Sequence, residues 1–300
     1  MKIALTGVRG QLGWELARSL APLGNLLLWD RVVADLAKPA ALDALIDHHK
    51  PDLIVNAAAY TAVDTAEDDA VTARLVNAES VDVLARAARR HGSILVHYST
   101  DYVFDGASST PYREDAPTAP LNVYGQTKRA GELAIAASGC DHLIFRTSWV
   151  YATRGANFML TMLRLAAKPG SLKVVDDQMG APTPARVLAN VSAHALAQAM
   201  RERAEGRFES GLFHLTTEGA TSWHGYASAM IEYVRNVAPA GRVRVARIEP
   251  VPSSAWPTRA ARPRNSALDN GKFDQRFALV RPHWWSALAQ LLDERLEYEA

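Results

Sequence analysis

The chain is poor in the features that announce simple assignments. It has one cysteine in 300 residues, Cys140, which excludes an internal disulfide and a cysteine-built zinc site and points to a reducing compartment. It has almost no net charge: 33 Lys and Arg stand against 32 Asp and Glu, so nothing in the balance suggests nucleic acid or an acidic membrane surface as partner. It lacks an apolar run of about 18 residues, the length a membrane span requires, and its N-terminus enters a strand without a leader-like apolar stretch. It lacks internal repeats and low-complexity segments. What remains is a globular chain of 48% apolar residues, long enough for a full core and a smaller attached lobe, expected in the cytoplasm.

The first motif is a strand, a glycine turn and a helix. Lys2–Thr6 is apolar, Gly7, Gly10 and Gly13 follow, and a helical pattern runs on through Leu16 and Leu20. Such a turn lets the backbone approach a pyrophosphate, and the helix start beyond it offers free N–H groups and a positive dipole end. A second strand, residues 25–30, ends in Asp30, placed to accept from a ribose hydroxyl. Arg9 and Arg31 add positive charge where an adenosine 2′-phosphate would lie, so both NADH and NADPH fit. Residues 52–56 and 93–100 read as buried parallel strands. Ala57 to Ala59 at the end of the first leave room for a flat ligand over the sheet edge, and Ser99 and Thr100 put two hydroxyls at the end of the second. Within that second strand His97 reads as a hydrogen-bonded core histidine.

Tyr124 and Lys128 stand four residues apart at a helix start, on one face. An ammonium near a phenol favours the phenolate, so Lys128 is expected to lower the proton affinity of Tyr124 toward working pH and make it a usable acid. With the glycine turn and the hydroxyl-bearing strand this gives hydride transfer to a carbonyl. Thr100 would bond the carbonyl oxygen, Tyr124 would protonate it, and Lys128 would hold the nicotinamide ribose. The alternation of strand and helix implies an α/β fold, a Rossmann-type doubly wound parallel sheet over residues 1–150. Residues 151–300 would form mainly a smaller α/β substrate lobe, with some segments returning to the first. Three later runs, 172–175, 211–215 and 243–248, read as isolated strands, and Trp284 and Trp285 open an amphipathic packing helix. Residues 241–281 carry nine Lys and Arg against three Asp and Glu, which suits a phosphorylated substrate.

Six segments in order resemble the extended short-chain dehydrogenase/reductases, and among them the dTDP-4-dehydrorhamnose reductase family. They are residues 10–16 (GQLGWEL), 55–64 (VNAAAYTAVD), 99–104 (STDYVF), 120–125 (PLNVYG), 145–151 (FRTSWVY) and 262–266 (RPRNS). The resemblance runs nearly end to end. It implies NAD(P)H-dependent reduction of the C4 ketone of dTDP-4-dehydro-6-deoxy-L-mannose, with Thr100, Tyr124 and Lys128 as the catalytic set. It also implies cofactor contacts at Gly10, Gln11, Leu12, Asp30, Asp35, Leu36, Ala59, Tyr60 and Thr61, joining Gly7, Arg9, Ala57, Tyr124 and Lys128. Val63, Asp101, Tyr102 and Trp149 would lie near the sugar.

NADPH is the expected cofactor, with NADH also accepted, and a monomer or weak homodimer the expected assembly. Two other readings share the fold: a nucleotide-sugar epimerase or dehydratase, and a regulatory subunit of the methionine adenosyltransferase type. The resemblance further implies, for some members, a magnesium ion held between subunits by three glutamates. Glu15 and Glu294 match two of them, but Arg186 takes the third place, so no metal is expected to be required.

Overall fold

Apolar runs without alternation belong to strands covered on both faces. In the computed structural model of the chain, which describes residues 1–297, four such runs lie side by side in one sheet. In chain order the elements are β1 (Lys2–Thr6), α1 (Gln11–Ser19), β2 (Asn25–Trp29), α2 (Pro39–His49), β3 (Leu53–Asn56), α3 (Val63–Ala66), α4 (Ala70–Arg74), α5 (Ser80–His91), β4 (Ile94–Thr100), α6 (Val123–Ser138) and β5 (His142–Thr147). Then come β6 (Val150–Tyr151), α7 (Phe158–Ala166), β7 (Gly170–Val175), β8 (Met179–Gly180), β9 (Thr183–Pro184), α8 (Ala185–Ala204), β10 (Gly211–His214), β11 (Thr221–Ser222), α9 (Trp223–Val237), β12 (Val245–Val251), α10 (Gly271–Phe277) and α11 (Trp284–Glu297). No described helix is long and apolar enough to cross a membrane.

The main sheet has the order β2-β1-β3-β4-β5-β10, with every pairing parallel. The chain steps from β1 out to β2 and then crosses back over β1 to β3. The carboxyl ends of β1 and β3 therefore diverge into a crevice, where open α/β sheets take their ligands. Side chains alternate across the sheet. Ile3, Leu5, Val55, Val96 and Phe145 pack with Leu16 of α1, Leu188 and Leu196 of α8 and Phe273 of α10. Ala4, Ile54, Leu95 and Ile144 pack with Leu42 of α2, Leu84 of α5 and Ile135 of α6.

Of the three runs read as isolated strands, none is isolated. Residues 211–214 form β10, the sixth strand of the main sheet, because Phe213 completes the aromatic cluster of Phe145, Phe273 and Phe277 under β5. β7 and β12 pair with each other in parallel. A second core gathers Tyr151, Met159, Tyr226, Met230, Leu288 and Leu292 from α7, α9, α11 and their neighbours, with Trp284 and Trp285 packed on it as expected.

Candidate active site

The crevice at the ends of β1 and β3 opens into a cleft of about 910 Å³ that reaches from the glycine turn to the second lobe. Its floor is backbone. Gly7 has φ of +71°, a left-handed conformation that favours glycine, and a side chain there would also meet Ala57 and Ala58. The Gly10 N–H donates to the Gly7 carbonyl at 2.8 Å, and α1 begins at Gln11 with no side chain capping its first amides. Those amides face the cleft beside Gln11 and Leu12, an anion site by construction.

Every cofactor contact expected from the sequence lines this cleft: Gly7, Arg9, Gly10, Gln11, Leu12, Asp30, Asp35, Leu36, Ala57, Ala59, Tyr60, Thr61, Tyr124 and Lys128. The acid and the arginines are not independent, however. Asp30 accepts from the Val32 and Val33 N–H groups and pairs with Arg9, with Nη2–Oδ2 at 2.6 Å. Its carboxyl is held below the usual range, chiefly by the bond from Val33. Arg31 faces Asp35 at 3.7 Å.

α6 delivers the phenol and the amine. Asn122 caps it, accepting from the Gly125 N–H at 2.8 Å. Gly125 lies so close under the Tyr102 carbonyl that a Cβ would overlap the oxygen, which presses the start of the helix onto the turn after β4. Thr100, Asp101, Tyr124 and Lys128 are thereby brought to one wall of the cleft.

The expected tuning of Tyr124 does not hold in this geometry. Burial pushes the phenol up to about 12, the Thr100 hydroxyl works against that rise, and the Asp101 charge adds to it. Lys128 shares the helix face, but its Nζ is turned to β4, donating to the Tyr98 carbonyl at 2.6 Å and lying 3.1 Å from His97 Nε2. Lys128 is itself only 1% exposed, and burial lowers it to about 8 against the raising influence of Glu132. Tyr124 is therefore a fully protonated acid at neutral pH. Beside it Asp101 is raised by burial to about 6, and its Oδ2 has no partner.

Trp149 lines the cleft, with its indole stacked on Trp223 at 3.5 Å and 4° between planes. Val63 and Tyr102 do not line it. Tyr102 reaches the site through its N–H, which donates to Thr100 Oγ1 at 3.2 Å, and through the edge of its ring against Tyr124, 5.8 Å between centroids. The cations of residues 241–281 are also elsewhere: among the described residues none of them lines the cleft, and Arg262, Arg276 and Arg281 are engaged with Asp64, Glu202 and Asp274. Part of a positive run in sequence becomes ion pairs once Asp64 and Glu202 of other elements, and Asp274 of the run itself, are folded against it.

The sequence reading missed the second lobe's share: Asn157, Phe158, Trp223 and Tyr226. Asn157 caps α7 through Leu160 N–H and also donates to Gln11 Oε1 at 2.7 Å, tying the lobe to the glycine turn. Its position before an apolar helix was a usable signal for the cap but not for the contact.

Comparison with known proteins decides between the readings that share this fold. Residues 1–297 match the family described as the RmlD substrate binding domain. A curated dTDP-4-dehydrorhamnose reductase of Burkholderia thailandensis is 55% identical over 95% of each chain. The chain belongs to the dTDP-4-dehydrorhamnose reductase family. The solved dTDP-4-dehydrorhamnose reductase of Clostridium acetobutylicum superposes with a TM-score of 0.88 at 32% identity, covering 98% of this chain and 99% of that one. That of Bacillus anthracis, solved in complex with NADP, gives 0.85 at 30% identity with the same coverage.

At the three positions where the resemblance implies a magnesium site for some members, Arg186 Nη1 donates to both carboxylate oxygens of Glu294, with Oε2 at 2.6 Å, and its Nε lies 3.5 Å from Glu15 Oε2. Where the resemblance implies a third glutamate for some members, this chain has the cation that bridges the other two carboxylates. Among the described residues no group of three His, Cys, Asp or Glu is placed to hold a metal.

Proposed function

We propose that this cleft carries out the family reaction, reducing the C4 ketone of dTDP-4-dehydro-6-deoxy-L-mannose to give dTDP-L-rhamnose, with NADPH preferred and NADH accepted. The observation that carries it is the meeting of Thr100, Tyr124 and Lys128 on one wall of the cleft whose floor is the glycine turn. The residues fit a dinucleotide: uncapped amides at Gln11 for the diphosphate, Arg9 and Asp30 at the ribose end, and small alanines over the sheet edge. The NADP complex of the relative from Bacillus anthracis supports the same choice.

When bound, the reduced nicotinamide supplies the hydride. Thr100 holds the ketone oxygen by its hydroxyl, and Tyr124 gives that oxygen its proton as the carbon accepts the hydride, leaving a phenolate to be reprotonated. Burial keeps the phenol protonated until that moment. The stacked Trp149 and Trp223 offer apolar cleft lining for a sugar ring, and Asp101 an acceptor for a sugar hydroxyl.

The protein acts as a monomer or weak homodimer, in the cytoplasm, and without magnesium. Mixing it with the 4-keto sugar nucleotide and reduced nicotinamide tests the reading: stoichiometric loss of nicotinamide absorbance is expected. Conversion of the sugar with no net loss would indicate an epimerase or dehydratase, and binding without conversion a regulatory subunit.

A further inference from the structure

Trp149 holds a conformation that bulky residues rarely adopt. Its φ is +46°, in the left-handed region where a Cβ crowds the backbone and glycine or asparagine is the usual occupant. The chain changes direction here: β5 ends at Thr147 in the main sheet, and β6 begins at Val150 paired with β9. Strain of this kind persists only where the surroundings over-determine it. Part of that restraint is backbone, since the Ser148 hydroxyl donates to the Ala181 carbonyl at 2.9 Å and the Thr183 N–H to the Trp149 carbonyl at 3.2 Å. The turn is thereby stitched to residues 180–183.

The rest is the indole itself, which fills a slot. A Cβ added at Gly180 would meet Trp149 Cε2, Nε1 and Cζ2 at 2.4, 2.6 and 2.8 Å. Cε2 is set back from the rim between the other two, so its being the nearest puts Gly180 over the face of the ring. Trp223 stacks on the same indole with 3.5 Å between centroids and 4° between planes. A ring overlapping at that spacing leaves no room for a peptide on its own side, so Trp223 covers the face opposite Gly180. Phe158 backs Trp223 in turn at 4.6 Å. Aromatic pairs left to themselves prefer offset or edge-to-face arrangements with centroids about 4.5–7 Å apart. Direct overlap is therefore imposed from outside, by Gly180, by Phe158 and by the pairing of β8 with β11, which sets Gly180 opposite Thr221 just before Trp223. Ser222 between them caps α9, accepting from the Gly225 N–H at 2.9 Å, and so fixes where Trp223 starts the helix.

We propose that Trp223 is a positioning residue for sugar binding: with Gly180 it clamps the Trp149 indole, so that the substrate's sugar is held against the rim of a fixed stack and not against an open indole face. Both indoles line the cleft, and both faces of Trp149 are already taken. The clamp acts through Trp149. The gain from an aromatic pair and the cost of a left-handed bulky residue are of the same order, so removing the second ring lets the turn relax and the indole leave its slot. The inference rests on the proposed reduction, which puts the sugar at this wall.

Trp223→Leu removes the ring and Trp223→Phe keeps a flat one. In Trp223→Leu the KM for the keto sugar should rise about tenfold, the upper worth of an aromatic pair, with the loss in KM more than in kcat and not in the dissociation constant of NADPH. Trp223→Phe should recover most of that loss, because a flat ring still closes the slot.

Tryptophan NMR of the intact protein reads the clamp directly. The Trp149 ring signals, identified by their loss in Trp149→Phe, should lie upfield under the ring current of Trp223. They should move downfield in Trp223→Leu and stay upfield when dTDP-L-rhamnose is added. This arm needs no turnover, so failure of the proposed reaction and failure of the clamp are told apart, and the wild-type signals decide the matter even where Trp223→Leu does not fold. Trp149 signals at ordinary positions in the wild type overturn the proposal. So does loss of the upfield shift on binding dTDP-L-rhamnose, which would make Trp223 a movable lid, and so does a Trp223→Leu enzyme with the wild-type KM for the sugar.

Discussion

Arg9 Nη2 lies 2.6 Å from Asp30 Oδ2, so the cation that suits a 2′-phosphate and the acid that suits a free ribose hold each other at the mouth of the cleft. An arriving phosphate can draw the exposed Arg9 away, while Asp30 stays anchored to the Val32 and Val33 amides. Charge reversal by Arg9→Glu should therefore weaken NADPH at least about tenfold more than NADH, because it places a carboxylate against the phosphate. Cofactor dissociation constants from fluorescence titration check this. Equal losses for both nicotinamides would show that Arg9 does not sense the phosphate.

Tyr124→Phe removes the acid and keeps the ring that meets Tyr102 edge-on. Turnover with the keto sugar should drop by at least about 10²-fold, the usual worth of a positioned acid, with cofactor affinity almost unchanged. Single-turnover kinetics beside a cofactor titration separates the two effects. Near-normal turnover would remove Tyr124 from the acid role.

These two sites were legible in the sequence to different depths. The glycine turn and the strands β1, β3, β4 and β5 could be read because their pattern is local, with apolar runs closed by small or hydroxyl residues. The spacing of Tyr124 and Lys128 correctly placed both on the cleft wall, since a helix fixes which side chains share a face. It could not show that Lys128 is anchored to Tyr98 and His97 on another element, and so it misjudged the tuning of the phenol. The same limit hid the role of residues 211–214: a short parallel strand takes its place from Phe213 meeting Phe273 and Phe277, contacts distant in the chain. Trp223 and Asn157 enter the cleft for reasons of packing that no local pattern carries.

Asp101 gives a stability signature. Its folded-state proton affinity is raised by burial to about 6, above the ordinary 3.8 of an unfolded chain, so the folded protein binds the extra proton between those values. That contribution is fully present below about pH 4 and is lost as pH rises through about 6. It amounts to roughly 2–3 kcal/mol by linkage. Asp101→Asn lacks the titration, so the wild type should lose stability relative to the variant across this window. Urea unfolding at several pH values from acid to neutral measures it, and a constant difference between the two proteins would place Asp101 in contact with water.

Glu132 receives Ser99 at 2.6 Å, two nitrogens of Arg146 at 2.8 and 2.7 Å, and Arg129 at 2.9 Å, locking α6 to β4 and β5 beneath the site. Arg146 is 2% exposed, so Glu132→Gln leaves a buried guanidinium without its counter-charge. A loss of about 3–5 kcal/mol is expected. Replacing both residues by apolar side chains of similar volume should cost less than Glu132→Gln alone. Chemical denaturation of the single and double variants checks the order, and a single variant within about 1 kcal/mol of wild type would mean that water reaches Arg146.

Arg186 stands between Glu15 and Glu294 where the family resemblance implies a third magnesium ligand. Magnesium binds hard oxygen donors, whereas a guanidinium offers only N–H groups and a positive charge. The bridge it makes is partly exposed and contributes little energy by itself, yet it occupies both carboxylates and repels a cation. Chelation by EDTA should therefore change neither the rate of nicotinamide oxidation nor the apparent mass in size-exclusion chromatography. Arg186→Glu should reverse this behaviour: three carboxylates repel one another without metal, and added magnesium should raise the melting temperature of the variant but not of the wild type. Loss of wild-type activity or of an oligomer peak on chelation, restored by magnesium, would show that Arg186 leaves room for an ion after all. A variant indifferent to magnesium would instead mean that Glu15 and Glu294 converge only because Arg186 draws them together.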